Sequence, residues 1–239
     1  MSNPAKVDLE PAYVLHARSY RETSELLEVF TAGHGRVGLV ARGARRPKSP
    51  FRGVLNPFQP LRVSWSGRGE LQTLRAAEST DAAAVLAADR IMAGFYVNEL
   101  LMRLLHRHDP HPELFMHYGS VVAQLAICED VEVLLRGFEL ELLREIGYAL
   151  NLEQDSVSQE PLVETRQYEF RVEQGAVVAE HAQDDGSCFS GAQLLAIGRR
   201  EFDDPVVRKR AKHLLRAALN YHLGERGLET RRIAAAMKR

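Results

Sequence analysis

Apolar and polar residues alternate with a period of two through the first third of the chain, then switch to steps of three and four. Residues 13–17 form a first strand-like run. Residues 25–31 form a second, with Leu27 and Val29 alternating against Glu28. Gly33, His34 and Gly35 make a turn, and residues 36–41 return as a third strand, which is a hairpin signal. Residues 61–64 continue as a fourth strand, and Gly67, Arg68 and Gly69 turn the chain into a fifth over 70–76. Residues 1–10 show no such pattern and are expected to form a short mobile lead. Five short strands in so short a stretch predict a small Greek-key barrel of OB type. Such barrels hold single strands in a positive groove lined with stacking aromatics.

From Asp81 onward the period is helical. Val85, Ala88, Ile91, Phe95, Met102 and Leu105 recur at three- and four-residue steps. This helix is apolar nearly all round, so it is expected at the centre of its domain. Asp109 and Pro112 start a second helix through Leu114, Tyr118, Val122 and Leu125. A third runs over 130–146 and stops at Gly147. Residues 151–187 are polar and broken, and 168–171 with 176–179 are expected to pair across Gln174 and Gly175. A short helix follows near Gln193, and another starts after Asp204 and Pro205 and ends near Gly224. The pattern predicts an α+β chain: an N-terminal five-stranded OB-type β-barrel over 1–79, then an α-helical C-terminal domain over 80–239 with a small β-hairpin insertion within 151–190.

Charge changes the picture. The 239 residues carry a formal net charge of −1, but it is unevenly placed. Residues 29–69 hold 8 basic and 0 acidic side chains, residues 70–204 hold 10 and 25, and residues 205–239 hold 10 and 2. Two basic ends flanking an acidic centre suggest polyanion contacts, and phosphate backbone is the usual polyanion. The densest part is the loop after the third strand, with Arg42, Arg45, Arg46, Lys48 and Arg52. Arg36 and Arg68 extend the same acid-free segment. Arginine outnumbers lysine there, which suits bidentate phosphate contact. Phe51 adjoins the loop and is the better stacking candidate, whereas Trp65 follows Val63 at strand spacing and is expected in the core.

Other chemistry finds little support. Gly43 with Lys48 and Ser49 superficially resembles a phosphate loop, but Pro47 stands where the glycine before the lysine must be and offers no N–H. His106, His108, His111 and His117 are spaced against a shared ligand set, so no metal is expected. Cys128 and Cys188 are far apart and in no metal-ligand spacing. No catalytic motif is present, so the expectation is a protein that is not an enzyme and takes no cofactor. The start of the chain lacks the apolar run of a signal peptide, and no run reaches membrane length, so a cytoplasmic, nucleoid-associated setting is expected.

The helix after Pro205 is the second informative element. At 100° per residue, Arg208, Lys209, Lys212 and Arg216 fall within about a quarter turn. Val207, Ala211, Leu214, Ala218 and Tyr221 share a separate arc that faces the core. Leu215 and Leu219 lie at the edge of the basic stripe. Such a stripe beside exposed apolar residues suits an acidic peptide with hydrophobic side chains, and it equally suits DNA phosphates.

Several short segments together resemble the RecO family of bacterial recombination and repair proteins. They include Tyr13-Val14-Leu15-His16-Ala17-Arg18, Gly35-Arg36-Val37, Val40-Ala41-Arg42-Gly43-Ala44-Arg45 and Leu55-Asn56-Pro57-Phe58. Gly67-Arg68-Gly69-Glu70-Leu71, Tyr96-Val97-Asn98-Glu99-Leu100-Leu101, Phe138-Glu139-Leu140, Gly147-Tyr148 and Arg200-Glu201-Phe202 continue the match. The resemblance implies binding of single- and double-stranded DNA, annealing of complementary strands, and work with RecR to load RecA onto DNA covered by single-strand-binding protein. It implies docking of that protein's acidic C-terminal tail on the helical domain, with Arg136, Lys209 and Lys212 as carried-over contacts beside Arg208 and Arg216 of the stripe. RecF is a further candidate partner, no membrane is involved, and a monomer is expected. Some family members carry a four-cysteine zinc site in the segment corresponding to 151–190, where this chain has only Cys188, so no zinc is expected. The alternative is an adaptor whose basic patches both bind acidic proteins.

Overall fold

The first strand is longer than its alternation suggests. In the computed structural model, which describes residues 5–81, 86–180, 187–224 and 226–237, β1 spans Ala5–Tyr20. Residues 5–10 are therefore paired strand, not a mobile lead. The first part of β1 pairs antiparallel with β4 (Leu61–Gly67), and the later part with β2 (Ser24–Thr31). The register shifts between Val7 and Glu10, where Leu9 has φ 53° and its amide donates to the Ser64 hydroxyl at 3.0 Å. This bulge breaks the period of two and hid the strand's first half.

β3 (Gly35–Ala41) and β5 (Leu71–Ser79) complete a closed barrel of order β1-β2-β3-β5-β4, in which only β3 and β5 run parallel. Its interior is filled by alternate residues, among them Val14, Leu27, Val29, Val37, Leu39, Leu61, Val63, Trp65 and Leu74. Trp65 is a core residue, as its spacing predicts.

β1 and β2 also bury their outer side. α1 (Ala88–Leu104) and α2 (Pro112–Leu125) follow the barrel. Residues 82–85, with the Val85 expected to open the first helical face, lie outside the described residues. Tyr13 packs against Phe115 and Tyr118 with ring centroids 5.5 and 5.0 Å apart, and Phe30 against Phe115 at 5.4 Å. Asn98 of α1 donates to the Leu15 carbonyl at 2.9 Å and accepts from the Tyr118 hydroxyl at 2.8 Å. Burial pushes the Tyr118 phenol well above its ordinary pKa, so it stays a donor. The barrel, α1 and α2 thus make one compact unit that extends to Glu129, and the strand-to-helix change at 79/80 falls inside it.

The same unit reclaims the end of the chain from Leu228. α6 (Glu229–Ala236), which the sequence pattern did not suggest, starts under a carboxylate from α1. Glu99 accepts from the Glu229 amide at 2.8 Å, the Thr230 amide at 2.9 Å and the Thr230 hydroxyl at 2.6 Å. A helix whose cap is supplied 130 residues away leaves no local capping signal.

The second unit is Asp130–Gly227. α3 (Val131–Glu145) is capped by Asp130 and gives way to Gly147 at φ 85°. β6 (Gln167–Arg171) pairs with β7 (Gly175–Val178) as the expected hairpin. A third strand, β8 (Cys188–Ser190), joins its other edge, so the insertion is a three-stranded sheet of order β7-β6-β8. α4 (Gly191–Gly198) opens with a capping box between Ser190 and Gln193. α5 (Pro205–Leu223) opens on Asp204 with proline in its first turn. Phe138, Leu142, Tyr168, Phe189, Leu194, Leu214 and Leu219 form the buried interior of this unit. Among the described residues no helix is long and apolar enough to cross a membrane.

Candidate nucleic-acid interface and the basic helix

The connection from β3 to β4 alternates anchors and cations. Ala44, Phe51 and Leu55 point into the barrel core; Arg42 is exposed just before them, and Arg45, Arg46, Lys48 and Arg52 are exposed between them. Consecutive turns hold the chain between the anchors. The Arg46 amide donates to the Gly43 carbonyl at 3.0 Å, Ser49 to Arg46 at 3.0 Å, and Arg52 to Ser49 at 3.2 Å. The Arg52 guanidinium reaches back to the Pro47 carbonyl at 3.2 Å. Among the described residues none of these five cations has an ion-pair partner. The loop is thus tied down at its backbone and charged at its surface, which lowers the ordering cost of meeting a phosphate chain.

The Arg45 amide also donates to the Thr23 carbonyl at 2.9 Å, so the loop lies against the β1–β2 turn. That contact brings up exposed Arg21, whose guanidinium lies 5.2 Å from the Tyr20 ring centroid. Sequence reasoning missed Arg21 because it lies outside the acid-free segment and beside Glu22.

Arg36 does not belong to this surface. It is a half-buried residue of β3, paired with Glu28 at 3.2 Å, and its carbonyl accepts from the His108 amide at 3.0 Å. Burial lowers its pKa and Glu28 opposes the shift. Glu28 is shared with Arg107, which also donates to the Glu70 carbonyl at 3.0 Å. Gly35 lets this segment approach: its φ is +64°, and a Cβ there would sit 2.1 Å from the Asp109 carbonyl oxygen. Arg36 and Arg107 therefore brace the barrel against the α1–α2 connection. Arg68 is exposed on the β4–β5 turn, away from the other loop cations in sequence.

The stacking expectation needs correction. Phe51 is 9% exposed and is one of the loop's anchors, so it offers no face to a base. Phe58 and Trp65 are buried as well, and Tyr20 is half-buried. Among the described residues the barrel carries charge on its surface, Phe51, Phe58 and Trp65 are inside, and the half-buried Tyr20 ring lies beside the Arg21 guanidinium. Contact with phosphate, rather than stacking on bases, is what this surface can do.

On α5 the stripe divides. Lys209 and Arg216 are exposed without ion-pair partners among the described residues. Arg208 pairs with Asp130, and Lys212 pairs with Glu132 at 2.6 Å. Arg136 is not on the stripe: it is 6% exposed on α3, donating to Glu139 at 2.6 Å, with no partner for its Nε among the described residues. Leu215 and Leu219, expected at the stripe's edge, are fully buried, because α3 and α4 both pack on this helix. The exposed large apolar side chains of α5 are Val206 in its first turn and Tyr221 in its last, so Tyr221 does not face the core as its place on the helical arc predicts. Arg210 turns inward, 4.4 Å from the Phe189 ring centroid.

Comparison with known proteins agrees with this layout. Residues 8–83 match the family described as Recombination protein O N terminal, and residues 86–232 match Recombination protein O C terminal. The chain is 47% identical over 231 residues to the DNA repair protein RecO of Methylococcus capsulatus, covering 97% of this chain and 94% of that protein. It is 44% identical over 237 residues to DNA repair protein RecO of Dechloromonas aromatica, covering 98% and 97%. For the protein of the same name from Nitrosospira multiformis the identity is 42% over 231 residues, covering 95% and 94%.

Proposed function

The chain belongs to the RecO family of DNA repair proteins, and on that premise we propose that it is a non-catalytic mediator that holds DNA by its phosphates. In this reading the β3–β4 loop grips the backbone of single- and double-stranded DNA alike. Neutralising charge on two complementary strands lowers their repulsion and lets them pair. The α5 stripe recruits the acidic tail of single-strand-binding protein, which brings the barrel to covered strands. RecR acts with it to load RecA there, and RecF is a further partner. The protein works at the nucleoid.

The observation that carries the reading is the loop itself: five exposed cations without ion-pair partners among the described residues, on a backbone pinned by three buried side chains. A loop kept only for solubility needs neither the anchors nor the absence of acid. The test is annealing of complementary oligonucleotides coated with full-length or tail-deleted single-strand-binding protein, with no nucleotide added. The reading expects annealing that depends on the tail. Tail binding without annealing would instead identify an adaptor for acidic proteins.

A further inference from the structure

Two of the four stripe cations on α5 are already occupied from within the chain. Asp130 is the N-cap of α3. One of its oxygens accepts from the Glu132 and Val133 amides at 2.9 and 3.1 Å, and the other takes Arg208. Glu132, in the first turn of α3, takes Lys212 at 2.6 Å. Arg208 and Lys212 are one turn apart on α5, so two carboxylates two residues apart span two cations four residues apart. A short acidic segment lying along α5 would present the same chemistry in the same place. The side chains involved are 29–57% exposed, so solvent and a competing carboxylate both reach them.

We propose that Asp130 and Glu132 are internal competitors for the acidic partner of α5, set there to weaken and select it. The partner is an acidic peptide, taken here as the tail of single-strand-binding protein, so the inference rests on that part of the proposed function. Binding is an exchange: each partner carboxylate that reaches Arg208 or Lys212 releases one from α3. A peptide with one or two acidic residues is met by Lys209 and Arg216 alone. A longer acidic run displaces Asp130 and Glu132 and gains all four cations. The exchange also keeps the complex weak enough to release.

The probes are a fluorescent peptide copying the tail of single-strand-binding protein, and oligo-aspartate. Both are titrated by anisotropy at low salt against the full chain, Glu132→Gln, and Asp130→Asn/Glu132→Gln. Asparagine caps helices about as well as aspartate, so α3 keeps its start, which circular dichroism checks. Exposed pairs are weak, so Glu132→Gln should tighten binding by about two- to five-fold, and the double variant by more. Tightening should fade as salt is raised. If the unaltered chain binds the tail and the double variant binds no tighter, the competitor role is overturned while tail docking stands. If the unaltered chain binds neither probe but the double variant binds, competition is supported in its strongest form. If neither protein binds either probe, both the competitor role and tail docking by α5 fall.

Discussion

The Arg45 amide donates to the Thr23 carbonyl at 2.9 Å, so the most basic loop of the chain is fastened to the β1–β2 turn through its own backbone. The bond separates two roles of one residue. Arg45→Ala removes the guanidinium and keeps the tie, whereas Arg45→Pro removes both. Arg45→Pro should lose more DNA affinity than Arg45→Ala and should open the loop to proteolysis. Equal losses with equal protease resistance would show that the tie does not order the surface.

Phe51 makes a second prediction, because the two roles considered for it diverge in what they disturb. As a core anchor, Phe51→Ala should cost about 3–5 kcal/mol of stability. As a stacking residue it would leave stability intact and weaken binding to single strands alone. A denaturant midpoint that falls, with a loss of affinity no greater for single than for double strands, agrees with the buried ring.

Glu99 allows a third. Its carboxylate satisfies two amides and one hydroxyl at the start of α6. Glu99→Ala should destabilise this helix by about 1–2 kcal/mol. Limited proteolysis should then remove the segment after Leu228 well before the rest of the chain is cut. Unchanged cleavage would mean that α6 is held by Leu228 and the Arg231 contact with Tyr96 instead.

Asp130 gives the pH dependence. The Val133 amide, with help from the Glu132 amide and Arg208, holds its carboxyl below the ordinary aspartate range. A depressed folded pKa contributes stability that is fully present above the unfolded value, about 3.9, and is lost as pH falls through the lower folded value. Asp130→Asn should therefore lower stability at neutral pH, change little below the folded pKa where the carboxyl is protonated in both states, and so flatten part of the acid limb of a stability profile. Glu141, held down first by Arg144 and also by Arg200, leaves a residual acid dependence in that variant. Parallel acid limbs for the two proteins would remove Asp130 from the account.

How much of this was legible in the sequence depends on where each signal is stored. Alternation in β2 and β3 and the helical steps of α2 and α5 are local, and these elements stand where the pattern puts them. The bulge at Leu9, the cap that Glu99 gives α6 and the third strand at Cys188 depend on partners far away in sequence, so no local period announced them. The site divides in the same way. A run of cations without acid is visible as letters, and the loop does expose Arg42, Arg45, Arg46, Lys48 and Arg52. Whether a cation is free is a question of distant neighbours, which is why Arg36, Arg136, Arg208 and Lys212 looked like the rest and turn out to be paired. Leu215 and Leu219 look like the flank of a stripe on a helical wheel, but a wheel does not show that two other helices cover them.

The most direct test of phosphate contact by the β3–β4 loop is the salt dependence of DNA affinity. Binding of the full chain and of Arg42→Ala/Arg45→Ala/Arg46→Ala to single- and double-stranded oligonucleotides should be followed from low to moderate salt. Five phosphate contacts give log–log slopes of about −3.5 on single strands and about −4.5 on duplex. Removing three should flatten both slopes by more than half, with similar fractional losses on the two forms. An unaltered slope in the triple variant, or a loss confined to single strands, would contradict a loop that grips phosphate.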